Sequence, residues 1–110
     1  MARGRRSSSR RGVKRLVLLR PEAEDDVAAA FVWYERQLPG LGRRFLEALV
    51  EALTAVGDNP ELYPEQYRRA RRVLLRRFPY AIFYVTEPAF IDVVACNHMR
   101  RSPRRWRRRL

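Results

Sequence analysis

The sequence predicts an α+β domain: a small antiparallel β-sheet with an N-terminal αα hairpin packed on one face, in the order β-α-α-β-β-β. Three observations carry this. Two consecutive stretches, Ala23 to Leu38 and Leu41 to Val56, repeat apolar residues at helical spacing. Only Pro39-Gly40 separates them, which allows a tight reversal and an antiparallel helical pair. Beyond Pro60 the pattern changes to short β-branched and aromatic runs broken by Pro-containing turns. A chain of 110 residues holds one such domain, and 46% hydrophobic residues with 11% aromatics suffice for its core.

Each element has a local cause. Val13 to Leu19 is leucine-rich and β-branched and ends before Pro21, which reads as a first strand. Pro21 suits the first helical position, and Glu22, Glu24, Asp25 and Asp26 place negative charge where the helix dipole favours it. Ala23, Val27, Ala30, Phe31, Tyr34 and Leu38 then form one apolar face. The second helix presents Leu41, Phe45, Leu49, Leu53 and Val56, and Gly57-Asp58-Asn59-Pro60 stops it. Three strands follow: Arg71 to Arg76, alternating around Val73 and Leu75; Pro79 to Thr86; and Phe90 to Cys96. If Val73 and Leu75 face the helices, Arg72 and Arg76 point to the open sheet face.

Charge is the strongest compositional signal. There are 24 Lys+Arg against 12 Asp+Glu, a formal charge of +12, and Lys14 is the one lysine. Residues 1–20 carry eight basic and no acidic residues, residues 21–66 a net −7, and residues 67–110 a net +11. An anionic partner, nucleic acid or acidic protein, is therefore expected to meet the second half of the domain. One cysteine excludes a disulfide scaffold, and one cysteine with one histidine excludes an ordinary Cys/His zinc site. No phosphate-binding glycine loop, Ser/His/Asp set or metal cluster is present, so no cofactor, metal or small-molecule ligand is expected. No apolar run approaches the roughly 20 residues of a membrane span, and a cytoplasmic protein is expected.

Residues 1–12, MARGRRSSSRRG, hold no apolar side chain after Ala2 and are expected to be a disordered basic leader or an over-long start. The domain should then run over 13–106, with 107–110 as a basic tail. Seven arginines fall within the last eleven residues: a polyanion-binding tail, or a solvated and frayed terminus. Trp106 among them stacks on a target or folds back over the sheet. Tyr80 and Tyr84 share strand parity, and aromatics there more often serve the core.

In order along the chain, Leu19-Arg20-Pro21-Glu22-Ala23-Glu24-Asp25-Asp26, Trp33-Tyr34-Glu35, Gly40-Leu41-Gly42 with Phe45-Leu46, Asn59-Pro60, Arg76 to Tyr84, and His98 to Trp106 resemble the RelE/ParE superfamily of bacterial toxins. The resemblance covers Val13 to Trp106. It implies the toxin of a type II toxin–antitoxin pair, sometimes called a plasmid-stabilisation protein, that inhibits growth and is neutralised by a cognate antitoxin. The superfamily has two chemistries: RelE-like members cut mRNA on the ribosome, and ParE-like members poison DNA gyrase.

Metal-free RNA cleavage needs a base, an acid and cations around the phosphorane. In the ribonuclease branch the strand arginine resembles Arg76, the arginine after the last strand resembles Arg100, and the C-terminal tyrosine falls at Trp106. An indole has no titratable proton and serves as neither acid nor base. His98 is the one remaining proton carrier, with Glu65 a conceivable base. The catalytic set, if RelE-like, is Arg76, His98 and Arg100. The target- or nucleic-acid-binding set is Arg72, Arg76, Arg77, Arg100, Arg101, Arg104, Arg105 and Trp106. A full clamp beside a thin proton-transfer set favours the ParE-like, gyrase-directed branch. The alternatives are a RelE-like endoribonuclease and a non-toxic basic nucleic-acid-binding domain.

Overall fold

The computed structural model of the protein describes residues 15–110; the expected basic leader and the first two residues of the expected first strand, 13–14, lie outside them. Strand β1 (Leu16–Leu19) leads into helix α1 (Pro21–Gln37), and a short turn joins α1 to helix α2 (Leu41–Asp58). A 3₁₀ turn at Pro60–Leu62 precedes β2 (Glu65–Tyr67), β3 (Ala70–Leu74), β4 (Tyr80–Thr86), β5 (Phe90–His98) and a short helix α3 (Arg104–Arg107). The sheet order is β1-β5-β4-β3-β2. From β3 to β5 it is the expected antiparallel meander, which β2 extends; β1 lies parallel to β5, so the sheet is mixed rather than wholly antiparallel. A parallel edge follows from the crossover through α1 and α2, which returns the chain across the sheet before the meander begins. The three-residue β2 and the four-residue α3 are additions to the expected order, each too short to leave a periodic signal.

The turn between the helices is built by Glu35 and two glycines. Gly40 adopts φ 92°, where a side chain would be strained. The Glu35 carboxylate accepts the Gly40 and Gly42 N–H groups, both at 3.0 Å, and so caps the start of α2. At Gly42 a Cβ would come within 2.8 Å of the Phe31 ring, so the two helices meet there without room for a side chain.

The sheet separates two cores. Ala23, Ala30 and Tyr34 of α1 and Phe45, Leu49 and Val56 of α2 pack on Val73, Ile82, Tyr84, Ile91 and Val93. The Tyr84 hydroxyl donates to Pro60 C=O at 2.6 Å, which satisfies its one polar atom inside that core. On the other face Ala81, Phe83, Val85, Val94 and Ala95 are covered by Trp106. A bulge between Phe83 and Tyr84 leaves Val94 unpaired on β5 and puts Val94 and Ala95 together in this smaller core. No described helix is long and apolar enough to cross a membrane.

Candidate functional site

The arginines of the second half divide into a tied and a free set. Arg71 pairs with Glu65 at 3.6 Å and Arg76 with Glu51 of α2 at 3.6 Å. Arg105 and Arg109 both reach Asp26 of α1, at 3.1 and 2.7 Å. Arg72, Arg77, Arg100, Arg101, Arg104 and Arg107 make no ion pair among the described residues. The acid-rich segment forms the two helices, so the charge blocks of the sequence become faces of the fold.

Asp26 organises the C-terminal end. Its side chain is 4% exposed, yet it accepts from Cys96 N–H at 3.0 Å, from Arg105 Nη2 at 3.1 Å and from both terminal nitrogens of Arg109. Burial of a carboxylate is tolerated when every lone pair is met in this way. The hydrogen bond to Asp26 holds the Arg109 guanidinium more firmly protonated than usual. The terminus is therefore not a uniform cationic tail: Arg105 and Arg109 fasten α3, while Arg100, Arg101, Arg104 and Arg107 face outward.

Three grooves receive the residues singled out from the sequence. Arg76 and Arg77 line one of about 840 Å³ beside α2, together with Glu47 and Glu51. Arg76 was expected on the open sheet face; β3 ends at Leu74, and beyond it the chain turns Arg76 toward the helix. Arg77 sits at φ 70°, an unusual conformation for a long side chain. A second cleft, about 680 Å³, lies between α1 and the end of β5, with Trp33, Tyr80, His98, Arg100, Arg101 and Arg105 around it. A third, about 240 Å³, opens on the sheet face away from the helices and is lined by Gln66, Arg72, Asn97, Arg101 and Arg107 with Trp106 beneath.

His98 borders the second and third clefts, and its Nδ1 accepts Arg100 N–H at 3.0 Å. Its ring meets Tyr80 edge-on at 5.1 Å. Burial is the main cause that raises the Tyr80 phenol above its ordinary value, opposed by Arg101. Glu65 stands on β2, with β3 and β4 between it and β5, on the order of 14 Å across the sheet. It serves Arg71 rather than His98. Trp106, weighed as a target-stacking residue, is 3% exposed and stacks on Phe83 at 4.0 Å and 12°. Its ring faces are occupied, so it is a core residue of the open sheet face.

Sequence reasoning missed Asp26, Asn97 and Trp33 as site residues. Asp26 was signalled: it falls three residues after Ala23 and four before Ala30, on the buried stripe of α1. Asn97, 5% exposed, left no such signal. Trp33 is 57% exposed at the second cleft. Among the described residues no group of His, Cys, Asp and Glu side chains is arranged to hold a metal ion.

The fold and the sequence both have relatives. Residues 17–103 match the family model of the ParE toxin of type II toxin–antitoxin systems, parDE. Toxin ParE2 of Mycobacterium tuberculosis, in strains CDC 1551 / Oshkosh and H37Rv, is 30% identical over 81 residues, 73% of this chain and 77% of the relative. A solved chain of the chromosomal ParDE system from P. aeruginosa superimposes with a TM-score of 0.69 at 14% identity, covering 79% of this chain and 98% of that one. That likeness concerns the fold alone. The matched family model spans most of the chain, from β1 to the approach of α3, and with the ParE2 relative it settles the family: this chain belongs to the ParE toxins of type II toxin–antitoxin systems.

Proposed function

We propose that the protein arrests growth by inhibiting DNA gyrase, in the cytoplasm, and that a cognate antitoxin neutralises it. The family membership supports the toxin role and the antitoxin partner. The observation that favours gyrase over mRNA cleavage is the dispersal of the residues an RNA-cutting site would need. Arg76 is paired with Glu51 in a groove of its own, the C-terminal tyrosine position is a buried tryptophan, and Glu65 is across the sheet from His98. His98 and Arg100 are left together, without a second proton carrier of the expected kind. The free arginines, by contrast, need no acid or base to dock on a target, since charge complementarity alone steers association. We take residues 13–106 as the active domain and count residues 107–110 with it, because Arg109 binds Asp26.

Inducible expression in bacteria tests this with two readouts: ribosome-bound mRNA by primer extension, and plasmid supercoiling by agarose gel. Intact messages with relaxed plasmid or DNA breaks are expected. Cleaved messages that become intact with His98→Ala or Arg100→Ala would make the protein a RelE-like endoribonuclease. Normal growth with neither effect would make it a binding domain without toxicity.

A further inference from the structure

We propose that the cleft on the open sheet face is a binding site for the phosphodiester backbone of duplex DNA. Three guanidinium groups, of Arg72, Arg101 and Arg107, surround a space of about 240 Å³, together with the side-chain amides of Gln66 and Asn97. No carboxylate lines it. None of the three arginines makes an ion pair among the described residues, whereas the carboxylates Asp26 and Asp92 are taken by Arg105, Arg109 and Arg20. Unpaired guanidinium groups converging with neutral donors are the chemistry of a phosphate site.

The cleft is also held in shape. Arg107, which lines it, lies 4.5 Å from the centroid of the neighbouring Tyr67 ring. That contact holds one of the three guanidinium groups before a ligand arrives, which reduces the ordering required on binding.

Two features separate a nucleic-acid backbone from other anions. The apolar floor of Phe83 and Trp106 is already covered, at 6% and 3% exposed, and Met99 is the one exposed large apolar side chain lining the cleft, so an acidic peptide would bury little apolar surface here. Of the rings that line the cleft, Trp106 is stacked on Phe83 and His98 meets Tyr80 edge-on. The stacked pair of Phe83 and Trp106 leaves no open indole or phenyl face for an unpaired base, so the contact is with backbone rather than with a splayed single strand. The choice of DNA over duplex RNA rests on the gyrase reading: a toxin that also grips the DNA that gyrase holds would bind the complex at two places.

The test is fluorescence anisotropy of the full chain on a labelled duplex of roughly 20 base pairs, without gyrase, over a series of salt concentrations. Arg72→Gln with Arg101→Gln is compared with Arg36→Gln with Arg43→Gln, which removes equal charge from the helical face. The first pair is expected to weaken binding at least about tenfold and to flatten the salt dependence by about two counterions; the second is expected to stay within about twofold. Equal losses in the two pairs, absence of duplex binding, or a preference for single-stranded RNA of the same length would overturn the inference. Supercoiling inhibition is measured separately on the unmodified protein. Inhibition without duplex binding overturns the cleft and leaves the gyrase reading; duplex binding without inhibition does the reverse.

Discussion

Arg109 forks onto Asp26, with Nη1 2.7 Å from Oδ2 and Nη2 3.1 Å from Oδ1, and the same Nη1 donates to Val94 C=O at 3.0 Å. The position of this fork explains it. Strand β1 accompanies β5 only as far as Val93, and the bulge then leaves Val94 without a partner on β4. From there, among the described residues, the outer edge of β5 has no neighbouring strand. Asp26, accepting from Cys96 N–H, and Arg109, donating to Val94 C=O, supply the missing ladder from two side chains. An arginine from the last residues of the chain thus completes a sheet whose first strand is too short.

Asp26→Ala is expected to lower unfolding free energy by about 3–5 kcal/mol, because it strands a buried guanidinium and a backbone N–H. Arg109, 14% exposed, should matter more than Arg105, which is 47% exposed and screened by solvent. Urea unfolding of Arg105→Ala and Arg109→Ala checks the ranking. Equal effects would show that the fork is not what holds the terminus.

Trp106→Ala should cost about 3–5 kcal/mol by opening a cavity over Phe83. Trp33 is the one other tryptophan, so the fluorescence of Trp33→Phe reports Trp106 alone. A blue-shifted, quencher-protected emission is expected from it. Emission typical of solvated indole would contradict the buried placement.

Gly42→Ala should be destabilising by about 1–3 kcal/mol, since its Cβ would press on Phe31 and Glu35. Thermal melting measures it. An unchanged midpoint would mean that the helical pair separates at little cost.

Alkaline pH should unfold the domain. Burial pushes the Cys96 thiol up to about 12 from an ordinary 9.0, and the Tyr84 phenol up to about 12 from 10.0. Both groups bind protons more tightly when folded, so their contribution is full below pH 9 and is lost as pH rises toward 12. Stability measured from pH 8 to 11 should fall, and a disulfide-exchange reagent should label Cys96 only after unfolding. Rapid labelling of the native protein near neutral pH would refute the burial.

The helical hairpin and the three main strands were legible because their signals are local. Pro21, Pro39-Gly40 and Asn59-Pro60 punctuate the chain, and Phe45, Leu49 and Val56 mark one helical face. The parallel placement of β1 was not legible, since strand pairing is decided by where the crossover returns and leaves no mark on Leu16–Leu19. The arginines show the same limit within the site. In sequence Arg104, Arg105, Arg107 and Arg109 are equivalent, and only the α3 turn decides which of them meets Asp26. Arg76 read as an outward strand residue because the end of β3 at Leu74 carries no proline or glycine. The residues around Trp106 allow both stacking on a target and covering the sheet, and Phe83 beneath the ring decides for covering.

Gyrase inhibition, the activity proposed for this ParE-family toxin, is tested most directly with purified components. Gyrase supercoiling of relaxed plasmid is followed with increasing toxin, alongside translating ribosomes given the same protein. Concentration-dependent loss of supercoiling with intact ribosome-bound mRNA is the expected result. Uninhibited gyrase with mRNA cleaved on the ribosome, and cleavage abolished by His98→Ala, would contradict it.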